Sequence, residues 1–423
     1  MLQIQLFRTD KNRIIEGLQK KNFKDLQIVD AIISLDEEKR NIQQQSEALA
    51  ASSNAISKSI GQLMATGKKE EAEQKKQEVA QQKEEAKALA AKLADAEQQL
   101  HDLIVSLPNL PHTSVPAGKT PEENEIVREG GKMPELHAEA KPHWELTEKY
   151  DLIDFELGTR ITGSGFPVYK NKGARLQRAL IQYFLDYNTE AGYTEFQVPL
   201  MVNEESAYGT GQLPDKEGQM YHIQDDKFFL IPTSEVPLTN IYRDEIVKET
   251  QLPVKMTGYT PCFRREAGSY GKDVRGLNRL HQFDKVEIVQ IAHPDKSYDT
   301  LEGMVKHVEQ LLQNLELPYR ILRLCGGDMS FTSALTYDFE VYSAAQQRWL
   351  EVSSVSNFES YQTNRMKIRF KDESGKIHLA HSLNGSSLAL PRIMACLMEN
   401  NQQEDGIHLP SVLGKYMKDL ILN

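Results

Sequence analysis

From Ile28 onward one set of positions recurs at alternating spacings of four and three: Ile28, Ile32, Leu35, Lys39, Ile42, Ser46, Leu49, Ser53, Ile56, Ile60 and Leu63. Eight of these eleven are apolar and the residues between them are polar, which predicts a long helix with one buried seam. Ala65-Thr66-Gly67-Lys68 follows, and its glycine can end a helix and turn the chain. A second series then reads Ala72, Lys76, Val79, Lys83, Ala86, Ala90, Leu93, Glu97, Leu100, Ile104 and Leu107, again with eight of eleven apolar. Leu107-Pro108 closes it, because a residue before proline is pushed out of the helical region. Two heptad helices joined by one short turn predict an antiparallel coiled-coil hairpin over about 27–107, inside an N-terminal domain of residues 1–110. At 1.5 Å per residue each helix would reach roughly 55–60 Å, so the hairpin is expected to project into solvent. The pattern alone fits a dimerisation coil as well as an arm for an anionic partner. Lys58, Lys68, Lys69, Lys75 and Lys76 near the tip favour the anion, and Glu70, Glu71 and Glu73 among them weaken that signal.

Beyond the hairpin the pattern changes. Residues 108–142 are rich in proline and charge and read as a linker wrapping onto a second domain of residues 111–423. A helical pattern over 174–190 puts Leu176, Ala179, Leu180, Tyr183, Phe184 and Tyr187 on one broad face. Gly192 caps it, and the strand-like Thr194-Glu195-Phe196-Gln197-Val198-Pro199 follows. Pro199 cannot donate to a ladder, so this strand is expected at an edge or an interface. Two further strands are predicted, 259–266 and 280–289, flanking a polar glycine-containing loop. Strand alternation would place Arg264 and Glu266 on one face with Arg265 opposite, and His281, Phe283, Lys285 and Glu287 together on one face of the second strand. Such a face has no reason to be a core; it is either solvated or a site.

Composition narrows the classes. The 423 residues exceed one compact core. Fifty basic against 61 acidic residues give a formal charge of −11, which taken alone argues against a nucleic-acid binder, although a local basic surface can sit on an acidic protein. Cys262, Cys325 and Cys396 lie far apart with no C-x-x-C spacing, so neither a disulfide framework nor a zinc site is expected. The start, Met1-Leu2-Gln3-Ile4-Gln5-Leu6-Phe7-Arg8, lacks a basic stretch followed by a long apolar core. No run reaches transmembrane length, and a cytoplasmic location without membrane association is expected.

Phe263-Arg264-Arg265-Glu266, a long loop containing Gly271-Lys272-Asp273-Val274-Arg275-Gly276-Leu277, and then Arg279-Leu280-His281-Gln282-Phe283 resemble motif 2 of the class II aminoacyl-tRNA synthetases, in the form that seryl enzymes carry (about 258–290). Leu383-Asn384-Gly385-Ser386-Ser387-Leu388-Ala389-Leu390-Pro391-Arg392 resembles their motif 3 (about 381–400), and Gly192 to Pro199 resembles motif 1 (about 175–200). The hairpin followed by Leu107-Pro108-Asn109-Leu110-Pro111 is similar to that family's N-terminal domain. The resemblance implies an α+β fold: a coiled-coil hairpin ahead of a class II catalytic domain whose mostly antiparallel sheet of six to eight strands is flanked by helices. It implies ATP-dependent activation of L-serine and transfer of serine to tRNA(Ser), with tRNA(Sec) as a second acceptor, by a homodimer using Mg²⁺.

Residue by residue, the resemblance gives Arg264 to the ATP α-phosphate, Glu266 to the adenine amino group, Phe283 to adenine stacking and Arg392 to the γ-phosphate, with Arg265 among the ATP contacts. In Glu351-Val352-Ser353-Ser354 it gives the four residues to ATP, and Glu351 and Ser354 to Mg²⁺. Strand alternation would instead pair Glu351 with Ser353; a bulge could bring Ser354 round, or the carry-over fails there. Thr233, Ser234, Glu235, Glu287 and Ser386 match the family's serine pocket, with Glu287 on the ammonium group. A carboxylate nucleophile is already ionised at neutral pH, so this chemistry needs positioning and charge stabilisation rather than a base. A synthetase-like enzyme that loads a carrier protein, or a non-enzymatic coiled-coil adaptor, are the rival readings; the hairpin argues against the first and the retained site residues against the second.

Overall fold

A computed structural model of the chain describes residues 1–266 and 275–423; the part of the motif 2 loop at 267–274, with Gly271-Lys272-Asp273-Val274, lies outside the described residues. The chain divides into two compact units, Met1–Pro108 and Asn109–Asn423.

The first unit is built on two helices, α1 (Ile28–Ala65) and α2 (Lys69–Val105). Gly67, at φ 79, supplies the left-handed residue that the turn between them requires. Every one of the eleven positions read on α1 is at least partly buried. On α2 the expected seam is half right. Lys76, Lys83, Ala90 and Glu97 are exposed, and Lys75, Gln82, Leu89 and Ala96, one residue earlier, turn inward between Ala72, Val79, Ala86, Leu93 and Leu100. The spacing therefore begins with three rather than four. That phase buries Leu89, which the other leaves in water. Lys39 pairs with Glu97 at 2.9 Å, and Gln82 donates to Ser52 at 3.1 Å across the helices. At the other end Asp36 is buried, and Arg8 from a short preceding helix donates to both its oxygens at 2.7 and 2.8 Å. That hydrogen bond holds the Asp36 carboxyl below its ordinary pKa.

The second unit carries an eight-stranded sheet. Its strands are β1 (Glu125–Gly130), β2 (Thr194–Glu195), β3 (Val254–Phe263), β4 (Gln282–Ala292), β5 (Tyr319–Arg323), β6 (Leu335–Ser343), β7 (Arg348–Asn357) and β8 (His381–Ala389). Their order is β1-β5-β6-β7-β8-β4-β3-β2; every pairing is antiparallel except β2 with β3. β2 is an edge strand, as Pro199 implied, but it is two residues long rather than six. The other edge, β1, comes from the segment read as a linker. Its apolar content is too low to announce a strand, with Ile126 and Val127 exposed, and Arg128 secures it to Glu302 and, at 2.9 Å, to Glu309.

Helices α3 (His143–Lys149), α4 (Asn171–Glu190), α5 (Glu235–Asn240), α6 (Ser297–Asn314) and α7 (Leu390–Asn400) complete the parts that matter below. The large core joins α4, α6 and α7 to the sheet through Leu180, Phe184, Met304, Leu311, Ile393 and Leu397 against Val286, Ile288, Phe339, Val352 and Val355. Strand alternation then sends Lys285, Glu287, Asp338 and Glu340 to the opposite face.

Candidate active site

Along β4, Lys285 lies opposite Thr260 and Glu287 opposite Gly258 of β3. On its other side Lys285 faces Ala389 and Glu287 faces Ser386 of β8, so β8 spends an extra residue between them and bulges over Ser387 and Leu388. Residues directly opposite share a face, which sets Ser386 beside Glu287. Lys285, Glu287, Thr233 and Glu235 are all buried. The Lys285 ammonium donates to Thr233 Oγ1 at 2.7 Å and lies 2.6 Å from Glu287 Oε2. Glu235, opening α5, accepts at Oε1 from Gln362 Nε2 at 2.6 Å, and Gln362 is fixed in turn by Ser382 Oγ at 2.7 Å. Burial, and then the charge of Glu287, push the Glu235 carboxyl up to about 7. Ser234 differs from its neighbours: its hydroxyl is paired with Thr260 Oγ1 at 2.5 Å.

Arg264 does not lie in a strand. β3 stops at Phe263, and the Arg264 amide donates to His281 O at 2.9 Å while its Nε donates to Pro232 O at 3.2 Å. Its guanidinium sits 5.2 Å from the centre of the Phe283 ring. Glu266 has φ 50, so the expected alternation of Arg264, Arg265 and Glu266 fails: a left-handed residue breaks the period of two. The Glu266 carboxylate pairs with Arg279 at 2.6 Å, and Arg265 is exposed with its amide on Gln219 O at 2.9 Å.

Arg392 is the third residue of α7, following Pro391 in the first turn. Its Nε donates to Asn278 O at 3.0 Å and its Nη1 to Glu351 O at 2.7 Å. The pairing of β6 with β7 resolves the question of alternation. Phe339 lies opposite Ser353 and Glu340 opposite Glu351, so Val352 is an extra residue, a bulge. Asp338 faces Ser354 and Glu340 faces Glu351; because Asp338 and Glu340 alternate regularly, Glu351 and Ser354 share a face. Val352 is buried in the core on the other side, and the Ser353 hydroxyl donates to Ser386 O at 2.6 Å.

Asp338, between these groups, was not anticipated. Burial and then the charge of Glu351 raise its carboxyl well above the usual range, and its Oδ1 is buried without a hydrogen-bond partner. Glu351, Ser354 and Asp338 form an all-oxygen set with an orphaned acceptor, which fits a hard divalent cation such as Mg²⁺. Regular acid placement along Thr336-Tyr337-Asp338-Phe339-Glu340 was a usable signal for Asp338. Nothing in the sequence pointed to Gln362. Nor did anything announce His143, whose Nε2 accepts from the Leu277 amide at 2.8 Å while Nδ1 meets Glu399 at 2.6 Å, tying the end of the motif 2 loop to α7.

Comparison with known proteins gives consistent results. A family model for the seryl-tRNA synthetase N-terminal domain matches residues 1–111, and one for the class II tRNA synthetase core domain (G, H, P, S and T) matches residues 220–401. The chain is 50% identical to a serine–tRNA ligase of Salinibacter ruber over 98% of each chain. It is 48% identical to one from Neisseria meningitidis serogroup C over 99% of this chain and 98% of that one. Among solved structures it is similar to the seryl-tRNA synthetase of Pyrococcus horikoshii complexed with ATP, with a TM-score of 0.93, 32% identity and full coverage of both chains. It is also similar to the cytoplasmic serine–tRNA ligase of Naegleria fowleri in complex with AMP, with a TM-score of 0.89, 27% identity and coverage of 100% and 99%.

Proposed function

The chain belongs to the seryl-tRNA synthetase family, a class II aminoacyl-tRNA synthetase, and from that premise we propose how its residues divide the work of activating serine and loading it onto tRNA. The observation that carries the reading is a set of three groups: a buried acid pocket at Lys285 and Glu287, Arg264 against the Phe283 ring, and Arg392 on Glu351. The serine ammonium goes to Glu287, beside Thr233, Glu235 and Ser386. Its carboxylate attacks the ATP α-phosphorus; a new P–O bond forms as the bond to the bridging oxygen breaks and pyrophosphate leaves. Arg264 spans the α-phosphate and the attacking oxygen, where its fork gains strength as charge builds. Phe283 takes the adenine ring, and Glu266, released from Arg279, its amino group. Arg392 holds the γ-phosphate. Glu351 and Ser354 would hold Mg²⁺, which supplies charge neutralisation on the phosphates. Ser353 supports the pocket by its hydroxyl on Ser386 O and Ser234 by its hydroxyl on Thr260, while Arg265 and Val352 adjoin the ATP contacts.

The adenylate's serine then passes to the terminal adenosine of tRNA(Ser), with tRNA(Sec) a second acceptor, and the hairpin of the N-terminal domain (1–110) is the tRNA-gripping element ahead of the catalytic domain (111–423). The homodimer forms through the edge around β2; exposed Leu200, Met201 and Phe228 nearby support that surface. Among the described residues no helix is long and apolar enough to cross a membrane, and the cytoplasm is the proposed site of work. Pyrophosphate exchange run with each amino acid in turn tests the reading. Exchange with serine alone is expected, followed by charging of tRNA(Ser); equal exchange with threonine or alanine would refute the pocket.

A further inference from the structure

Lys285 has a position that its neighbours do not explain. It is a buried lysine whose ammonium lies between Thr233 and Glu287, two groups that the proposed function gives to the substrate. Burying Lys285 and Glu287 together neutralises both, at a cost recovered only if their hydrogen bonds are also made. Here they are not all made. Glu287 Oε2 lies 2.6 Å from the lysine nitrogen, but the ammonium approaches it off the direction of a good hydrogen bond. The pair is held by charge while a good acceptor waits for a better donor.

Serine enters as a zwitterion. Its ammonium suits Glu287, but its carboxylate must then sit in a pocket that also contains Glu235, and an uncompensated anion beside two acids is unfavourable. Arg264 is one compensating group, tethered by Nε to Pro232 O and stacked on Phe283. Lys285 is the other, and its ammonium sits on a four-carbon stem that can swing over several ångströms.

Resting on the serine-pocket reading, we propose that Lys285 is a resident counter-ion: the substrate's ammonium displaces it from Glu287, and it then pairs with the substrate's carboxylate. The empty pocket thereby avoids an isolated buried carboxylate, and the same lysine orients the attacking group once the pocket fills. Lys285 touches substrate in this scheme and is a catalytic residue of the activation step.

The test compares serine with serinamide, which keeps the ammonium and hydroxyl but has no carboxylate. In Lys285→Met and Lys285→Gln, the serine KM in pyrophosphate exchange should rise by about tenfold or more, as for truncation of one partner of a buried charge pair. The inhibition constant of serinamide should stay within about threefold of the parent or tighten, because no lysine competes for Glu287. Lys285→Arg should retain most of the serine preference. Parallel weakening of serine and serinamide would overturn the proposal by showing a structural role, and so would an unchanged serine KM. Should both neutral variants fail to fold, the parent decides: it must bind serine at least about tenfold more tightly than serinamide, and parity would overturn the proposal. A parent that exchanges with no serine at all would instead sink the pocket reading on which this one stands.

Discussion

Glu235 offers a quantitative test of the pocket in the absence of any ligand. Its carboxyl is buried, close to Glu287, and carries a pKa pushed from 4.5 to about 7. A raised folded-state pKa means that the folded protein holds the proton more tightly than the unfolded chain. The stabilisation from this group is therefore complete below about pH 4.5 and is lost as pH rises through about 7. The magnitude is on the order of 3 kcal/mol at 1.36 kcal/mol per pKa unit. Glu235→Gln keeps the acceptor for Gln362 Nε2 and cannot ionise. Relative to the parent, it should gain stability progressively between about pH 5 and 8, while the two proteins differ by a constant amount at lower pH. Other titrating groups are common to both proteins and cancel in the difference. At roughly 2 °C per kcal/mol for a unit of this size, the difference in Tm should change by about 6 °C across the range. Tryptophan fluorescence is the convenient readout, because both tryptophans, Trp144 and Trp349, lie in the second unit, as Glu235 does. A Tm difference that does not move between pH 5 and 8 would show that Glu235 is ionised in the folded protein, and the pocket's electrostatics would need to be redrawn.

Other outcomes are equally open to measurement. Arg264→Ala should lose roughly 2–4 kcal/mol of transition-state stabilisation in serine-dependent exchange; a change within about threefold would remove Arg264 from the α-phosphate. Replacing residues 31–101 with a short Gly/Ser bridge should leave exchange intact and collapse tRNA charging, whereas unimpaired charging, or conversion to a monomer, would take the hairpin out of tRNA recognition. The inward phase of α2 predicts that Leu89→Ala costs the first unit about 2–3 kcal/mol and Ala90→Ser almost nothing, read as the rate of proteolysis within the hairpin. Equal sensitivity would restore the other phase.

The parts of this fold legible in the sequence were those governed by one repeating rule. On α1 a seam written in Ile and Leu admitted a single phase. On α2, where alanine stands on both sides of the seam, Ala90 and Leu89 competed and the wrong one matched the period. The strand carrying Lys285 and Glu287 was readable because it runs regularly, in unbroken register with β3 from Gln282 to Ile291. Arg264 and Glu266 were misplaced for the converse reason: a left-handed turn after Phe263 has no periodic signature. Edge strand β1 was equally hidden, since it draws its order from a partner far away in sequence, whereas β2 was read at its edge but too long. Gln362 and His143 contribute through hydrogen bonds that reach groups more than a hundred residues distant, and no local pattern encodes such a bond.

Val352 illustrates how an extra residue can matter through direction rather than identity. Losing one residue from a strand ordinarily inverts every side chain beyond the gap. Here the opposite holds: without Val352, Glu351 and Ser354 would be two apart in an unbroken ladder and would still look the same way. Phase is thus indifferent to the presence of Val352. What the residue adds is bend and local twist, together with about 3.3 Å of chain between the two oxygen donors. A protein shortened by that one valine would lose one core side chain, keep the Glu351 and Ser354 oxygens on one face, and change the span and angle between them.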